Sequence, residues 1–127
     1  MQAFFRIFMY KFKTKVMKNI HILPTDKPSR LFKNIHSELL SIRKYDDKPL
    51  NEATQNQHIY ITSDEEIKDG DWVFNFEYIY IVQYDSKKHD SKFWYKKIIL
   101  TTDQDLIKDG VQAIDDEFLE WFVKNPN

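Results

Sequence analysis

The chain has 127 residues, of which 42% are hydrophobic, 16% aromatic and 31% charged, a composition typical of a single domain that can bury a core. It contains no cysteine, which excludes disulfide bonds, thiolate metal sites and cysteine nucleophiles. With only two glycines, the chain cannot form a glycine-rich phosphate-binding loop. The formal net charge is −1, but charge is unevenly distributed along the chain.

The first 16 residues are aromatic and basic, and another methionine, Met17, follows them directly. They do not resemble a signal peptide, because their charges follow the apolar run instead of preceding it. No apolar stretch approaches the roughly 18 residues that a membrane span requires. An amphipathic helix and an alternating strand describe this segment equally well. We interpret residues 1–16 as an N-terminal extension of a single domain, 1–127, and we expect no membrane partner and a cytoplasmic location.

The next segments mix clear and ambiguous signals. Residues 18–24 predict a short strand that stops at Pro24. Residues 31–44 are ambiguous, since Ile35, Leu39 and Ile42 have helical spacing and Ser37 is a suitable cap. Residues 44–57 are polar and lack periodicity, so they predict a long loop.

The centre of the chain has the pattern of β-structure. Residues 58–62 alternate between apolar and polar side chains, and residues 71–85 are rich in aromatic and β-branched types. The latter run predicts either one bent strand or two strands broken near residues 75–77. After a turn at 86–92, residues 93–102 predict a further strand. Together these segments indicate an antiparallel meander of three to five strands, with a local resemblance to SH3-like barrels.

The C-terminal residues predict an amphipathic helix. Asp115 is a suitable N-cap, and Ile114 and Leu119 have the spacing of a hydrophobic staple. Phe118 and Phe122 fall on one apolar face. We therefore predict an α+β fold, in which a bent, barrel-like antiparallel meander sheet is covered by this helix.

A short motif occurs twice. Residues 61–70 (ITSDEEIKDG) recur as residues 100–110 (LTTDQDLIKDG) with one inserted residue. Each copy leaves a strand through a hydroxyl side chain that can cap an acidic turn, and each ends at a glycine that can take positive φ. We interpret the motif as a structural repeat of strand, helical turn and reversal.

The two parts of the chain carry opposite charge. Residues 1–44 have a net charge of +8 and residues 45–127 a net charge of −9. One interpretation is that the two parts neutralise each other in the fold; the other is that one of them binds a charged partner. The candidate basic surface consists of Lys11, Lys13, Lys15, Lys18, Arg30, Lys33, Arg43 and Lys44. The candidate acidic surface consists of Asp103, Asp105, Asp109, Asp116, Glu117 and Glu120.

Aromatic side chains are the other candidate binding groups, and the candidates on predicted strands are Trp72, Tyr78, Tyr80, Tyr84, Trp94 and Tyr95. Packing in the core explains most aromatic residues on strands. If some of them point outward, beside Lys87, Lys88, Lys96 and Lys97, the sheet would form a surface for RNA or protein. Trp72 and Trp94 are the candidate anchors.

No pattern of catalytic residues is present. The four histidines, His21, His36, His58 and His89, have neither helical pairing nor a motif partner. A calcium loop starting at Asp103 fails, because Ile107 stands where an oxygen ligand is required and Lys108 where glycine is required. We predict no enzyme activity, catalytic residue, metal, cofactor or small-molecule substrate.

Three blocks of the sequence carry a resemblance to a known group of proteins. Residues 18–32, 59–72 and 96–126 resemble a family of small uncharacterised proteins encoded by phages and prophages of Bacteroidota. The resemblance implies a mobile element, a bacterial host cytoplasm and a small accessory protein, and it implies no catalytic residues. Residues 1–16 and 33–57 do not share the pattern.

This context suggests three functions. The first is a non-enzymatic inhibitor of host defence, of the anti-CRISPR kind, that binds an RNA-guided effector nuclease of the RNA-targeting type VI class or its guide RNA. The second is a small RNA- or DNA-binding module. The third is a phage structural or assembly accessory.

Overall fold

A computed structural model describes residues 19–45, 53–89 and 91–125 of the chain. Eight strands and two helices occur in these ranges, in the order β1 (Ile20–Pro24), β2 (Leu31–Asn34), β3 (Leu40–Ile42), β4 (Thr54–Ser63), β5 (Trp72–Asn75), β6 (Tyr80–Gln83), β7 (Tyr95–Thr101), α1 (Gln104–Lys108), β8 (Gln112–Ala113) and α2 (Asp116–Lys124). The predicted extension 1–16, and with it Lys11, Lys13, Lys15 and Lys18, lies outside the described residues.

The strands form one open sheet in the order β3-β2-β4-β7-β5-β6, with β1 added to β4 and β8 added to β7. All pairings are antiparallel except β7 with β8. The predicted α+β fold with an antiparallel sheet and a C-terminal helix is confirmed. The strand order is more complex than a simple meander, because β7 lies between β4 and β5.

The central strand β4 is buried on both faces of the sheet. Ile59 and Ile61 pack with Phe118, Leu119 and Phe122 of α2. Tyr60, which alternates with them, points to the opposite face and packs there with a second cluster, formed by Phe74, Ile98 and Leu106. This alternation follows from the two-residue period of a strand. As predicted, Asp115 caps α2, and its carboxylate accepts a hydrogen bond from the Phe118 N–H at 2.8 Å.

The prediction of a loop over residues 44–57 is wrong for its last four residues, because β4 begins at Thr54. Asn56 and Gln57 are buried although they are polar. The Asn56 side chain accepts a hydrogen bond from Arg43 at 2.6 Å and donates one to the Lys27 carbonyl at 2.9 Å. Polar side chains with internal partners can be buried in a strand, and such partners are not visible in a local pattern. Residues 46–52 of the predicted loop lie outside the described residues.

Residues 31–44 form the hairpin β2–β3, not the helix that the spacing of Ile35, Leu39 and Ile42 suggested. The turn between the strands contains the helical hydrogen bonding that this segment has. The Asn34 side chain accepts hydrogen bonds from the N–H groups of His36 and Ser37, and the Glu38 N–H donates to the Asn34 carbonyl at 2.7 Å. This bond closes a single helical turn, which ends with Glu38 at φ 59°.

The β5–β6 hairpin has the same kind of turn. The Asn75 side chain accepts hydrogen bonds from the N–H groups of Glu77 and Tyr78, and the Ile79 N–H donates to the Asn75 carbonyl at 2.9 Å. Ile79 takes φ 58°. The predicted break near residues 75–77 is therefore confirmed, and two strands replace the single bent strand.

Candidate functional site

Two of the basic candidates that the structure describes, Arg30 and Arg43, make contacts within the fold. The Arg43 guanidinium donates hydrogen bonds to Asn56 and to the Ser29 carbonyl, and it lies 4.4 Å from the centroid of the Phe32 ring. Arg30 donates to the Arg43 carbonyl and pairs with Asp116. Lys33 is half-buried on β2, and Lys44 is exposed beside Tyr45. Arg30 and Arg43 therefore hold segments of the protein together.

The acidic set is also largely engaged in internal contacts. Asp103 accepts a hydrogen bond from the Tyr60 hydroxyl at 2.6 Å and caps α1 through the Asp105 N–H. Burial and the Asp103 carboxylate raise the pKa of Tyr60. Asp105 pairs with Lys27, which lowers the pKa of the Asp105 carboxyl. Glu117 is half-buried and Glu120 is exposed on α2.

The ion pairs Lys27–Asp105 and Arg30–Asp116 join the basic part of the chain to the acidic part. They support the interpretation that the two parts neutralise each other in the fold. Among the described residues, no group of three or more metal-ligating side chains is found. The described helices include none that is long and apolar enough to cross a membrane.

The two candidate tryptophan anchors differ in their surroundings. Trp72 is half-buried in the second hydrophobic cluster, and its indole N–H donates to Asp109 at 2.9 Å. Gln83 also donates to Asp109, so this carboxylate holds the end of the second repeat against β5 and β6. Trp94 is 39% exposed. Of the two, Trp94 is therefore the better anchor for a partner.

Trp94 belongs to an exposed group of large apolar side chains at one end of the sheet. The group comprises residues of the β5–β6 hairpin and of the segment before β7, and we name it the aromatic tip: Tyr78, Ile79, Tyr80, Phe93 and Trp94. Tyr78 is 72% exposed and Phe93 is 71% exposed. Soluble proteins expose single apolar residues often, but contiguous groups are typical of binding surfaces.

Contacts beneath the aromatic tip hold its two segments together. The Phe76 N–H donates to the Trp94 carbonyl at 3.0 Å, and the Phe76 and Trp94 rings lie 5.5 Å apart. The hydroxyls of Tyr80 and Tyr95 are 2.9 Å apart, and this hydrogen bond raises the pKa of Tyr80. Phe93 meets Trp94 edge to face at 4.9 Å. The exposed rings are thus supported by an ordered network.

A cleft of about 300 Å³ adjoins the aromatic tip. Its lining combines apolar and charged residues: Ile67, Phe76, Phe93 and Tyr95 with Asp64, Glu65, Glu66, Lys92 and Lys96. Lys96 donates to the Asn19 side chain at 2.7 Å and lies 3.6 Å from Asp64. Lys92 lies 5.9 Å from the centroid of the Tyr84 ring. Both ammonium groups therefore already have partners within the protein.

A second cleft, of about 350 Å³, lies between the ends of the two repeats. Ile61 and Leu100, the first residues of the two copies, are register partners on β4 and β7. Gly70 and Gly110 take φ 94° and 105°, as the motif predicts. A helical turn forms only in the second copy, as α1. The charged groups here are held in place, since Lys97 lies between Glu65 and Asp71 and Asp109 holds Trp72.

Two of the histidines, His21 and His58, lie against neighbouring side chains of the fold. His21 stacks on Phe74 at 3.9 Å, and its Nε2 lies 3.2 Å from the Thr62 hydroxyl. Burial, assisted by the charge of Lys96, lowers the pKa of His21 to about 4. His58 is buried beside the Thr102 hydroxyl, and burial lowers its pKa as well.

Sequence reasoning identified Trp94 and considered Tyr78 and Tyr80, but it did not single out Ile79 or Phe93. Their aromatic and β-branched neighbours predict strand interior. Only the Asn75 turn and its partner segment show that these side chains project from the sheet.

Comparison of the chain with protein-family models, with curated proteins and with solved structures finds no match.

Proposed function

We propose that this protein is a non-enzymatic binding protein that acts in the cytoplasm of a bacterial host by docking its aromatic tip on a protein partner. The observation that carries the proposal is the exposure of Tyr78, Ile79, Tyr80, Phe93 and Trp94 on the β5–β6 hairpin and on the segment that is hydrogen-bonded to it. Tyrosine and tryptophan are the residue types that dominate the energetics of protein interfaces. Such a surface is costly to expose unless a partner covers it.

The partner that we propose is an RNA-guided, RNA-targeting effector nuclease of the type VI class. This part of the proposal rests on the resemblance of residues 18–32, 59–72 and 96–126 to phage and prophage proteins of Bacteroidota. Small proteins of mobile elements gain from inhibiting host defence. An inhibitor of this kind needs a docking surface and no catalytic group of its own.

The test is inhibition of a purified type VI effector loaded with guide RNA, measured as cleavage of a fluorescent reporter RNA. We expect the wild-type protein to block cleavage near stoichiometric amounts. The double variant Tyr78→Ala/Trp94→Ala should raise the half-inhibitory concentration by about tenfold or more, because truncating aromatic anchors typically costs at least about 2 kcal/mol. Tyr45→Ala is the matched control, since Tyr45 is also exposed but lies outside the aromatic tip.

A small nucleic-acid-binding module is the second candidate function. The observation that favours it is the same set of exposed rings, on which unpaired bases can stack. In that case the protein shifts free RNA, and its affinity falls steeply with salt concentration. The inhibitor proposal expects no shift of free RNA near physiological salt. A shift that disappears with Tyr78→Ala/Trp94→Ala would replace the inhibitor proposal by this one.

A further inference from the structure

The strand β6 lies at one edge of the sheet, and in the part of the chain that the structure describes it pairs only with β5. Tyr84, which follows β6, is bonded to the segment before β5. Its N–H donates to the Asp71 carbonyl at 2.7 Å, and its carbonyl accepts from the Gly70 N–H at 2.9 Å. Because backbone groups alternate in direction along a strand, those of Ile81 and Gln83 point away from β5. The outer edge of β6 therefore offers N–H and C=O groups at these positions.

The strand β6 lacks the features that usually prevent edge strands from associating. It contains no charged residue and no proline, and its pairing with β5 has no bulge. Ile81 packs with the second hydrophobic cluster, and Val82 packs with a third, formed by Ile67, Val73 and Tyr84. The strand is thus held in place by its own side chains, and its outer edge is a template for a further strand.

The turns on either side of β6 carry exposed side chains of opposite charge. Glu77 lies in the turn before the strand, and Lys87 and Lys88 lie in the turn after it. Among the described residues, none of the three takes part in an ion pair. Asp69 and Asp85 adjoin the second turn, but their carboxylates accept hydrogen bonds from the N–H groups of that turn.

We propose that β6 pairs with β6 of a second copy of this chain, antiparallel and about a two-fold axis at Val82. In this register Ile81 lies opposite Gln83 of the second copy, so that their outward N–H and C=O groups bond to each other. Glu77 precedes Val82 by as many residues as Lys87 follows it, so each Glu77 meets the basic side chains of the other copy. A second copy fits this edge because the edge matches itself in both backbone groups and charge.

The pairing goes beyond the proposed function and does not depend on it. Each β6 begins at the aromatic tip, so antiparallel pairing directs the two aromatic tips toward opposite ends of the joined strands. A dimer of this kind presents two docking surfaces instead of one.

Sedimentation equilibrium of the complete chain tests the pairing, over concentrations from about 5 µM to about 500 µM. We expect the average mass to rise from that of one chain toward that of two. The dissociation constant should be about 10–100 µM, because a short strand pair buries less surface than a stable interface does. A mass equal to one chain over the whole range overturns the proposal.

Two variants of Gln83 test the backbone contact. Gln83→Pro removes an outward N–H, and edge strands tolerate proline at such positions. Gln83→Ala is the matched control, because it removes the same side chain with its hydrogen bonds to Gly70 and Asp109 but keeps the N–H. We expect Gln83→Pro to raise the dissociation constant about tenfold or more, and Gln83→Ala less than about twofold. Urea unfolding of each variant checks the fold, and equal association of the two overturns the proposal.

A charge exchange tests the register without altering the strand. Glu77→Lys alone, or Lys87→Glu/Lys88→Glu alone, should raise the dissociation constant about threefold to tenfold, because like charges then meet at both ends of the pair. An equimolar mixture of the two variants should associate as well as the wild type, because each end of the mixed dimer again joins opposite charges. A mixture that associates no better than its components overturns the proposed register.

Self-association that Gln83→Pro leaves intact and Tyr78→Ala/Trp94→Ala abolishes would assign the contact to the aromatic tip and overturn the pairing of β6. No nuclease is present in these experiments, and inhibition of the effector is measured far below the expected dissociation constant. A monomeric protein that inhibits the effector therefore overturns only the dimer, and a dimer that does not inhibit it overturns only the proposed function.

Discussion

Ile79 has an unusual backbone conformation for its residue type. Its φ of 58° lies in the left-handed region, where a β-branched side chain meets its own backbone. Its side chain is nevertheless 53% exposed, so packing in the core does not compensate for this strain. A residue that is strained and exposed at the same time is typical of a functional position, and here it belongs to the proposed docking surface.

We expect Ile79→Asn to increase the free energy of unfolding by about 0.5–1 kcal/mol, because asparagine tolerates the left-handed region. The same variant should weaken inhibition of the effector, since it removes an apolar side chain from the aromatic tip. Glu38→Asn is the matched control: Glu38 has φ 59° in the equivalent turn, so this change should stabilise the protein without affecting inhibition. Urea unfolding measures the stabilities. Lower stability of Ile79→Asn would contradict the interpretation of strain.

His21 couples stability to pH. Its pKa falls from 6.5 in an exposed histidine to about 4 in the fold, so the unfolded chain binds a proton at a higher pH than the folded protein does. The titration of His21 therefore does not change stability above about pH 6.5, and it destabilises the fold progressively as the pH falls from 6.5 toward 4. Lys96, which faces this ring, acts in the same direction.

We expect His21→Phe to retain stacking on Phe74. Between pH 7 and pH 4.5, the free energy of unfolding should fall by about 1 kcal/mol less in this variant than in the wild type. The expected difference is small because the histidine ring is only partly buried. Chemical denaturation at several pH values measures the difference. His36→Phe, at an exposed position in the β2–β3 turn, is the control and should follow the wild-type pH dependence. Identical profiles for His21→Phe and the wild type would refute the role of His21.

At the scale of elements, a layer of polar contacts attaches the β2–β3 hairpin to β4. Arg43, at the end of β3, reaches Asn56 of β4 and stacks on Phe32 of β2. Ser29 donates to the Gln57 carbonyl at 2.7 Å in the same layer. This layer lets a polar sequence form the first part of β4. Arg43, which appears from the sequence to be a binding residue, is thereby engaged in contacts within the fold.

We expect Arg43→Ala to lower the free energy of unfolding by about 1–3 kcal/mol, because it leaves the buried Asn56 oxygen without its donor and removes the stacking on Phe32. Lys44→Ala removes a neighbouring, exposed positive charge and should change stability by less than about 0.5 kcal/mol. Thermal unfolding distinguishes the two. If Arg43→Ala is as stable as Lys44→Ala, the polar layer does not hold the hairpin.

At the scale of the whole molecule, opposite charges along the chain meet across the fold. The pairs Lys27–Asp105 and Arg30–Asp116 each join residues that are far apart in sequence. Three of these four side chains are half or more exposed, so water and salt screen the attraction. These ion pairs therefore contribute little to the stability of the folded protein.

We expect the free energy of unfolding to fall by less than about 1 kcal/mol when sodium chloride is raised from about 0.05 M to about 0.5 M, because exposed ion pairs contribute little. Urea unfolding at the two concentrations provides the measurement. A loss of several kcal/mol would mean that the charge division is a main source of stability. The double variant Lys27→Gln/Asp105→Asn, which removes one ion pair without changing the net charge, serves as the control for this pair.

The amino-acid sequence alone determined the features that depend on neighbours along the chain. Alternating apolar residues predicted the second part of β4, the composition of residues 93–102 predicted β7, Asp115 and the spacing of Phe118 and Phe122 predicted α2, and the two motifs predicted glycines at positive φ. Each of these follows from local geometry, which a sequence pattern records directly.

Only the tertiary structure decided which of the remaining residues face a partner. The same aromatic residues can fill a core or project from a turn, and the outcome for Tyr78, Phe93 and Trp94 depends on the Asn75 turn and on the segment paired with it. An arginine can likewise line a surface or hold a hairpin. Arg43 holds the hairpin because its guanidinium donates a hydrogen bond to the Asn56 side chain. The physical reason is that exposure depends on contacts between residues distant in sequence, whereas local patterns record only which residues are close along the chain.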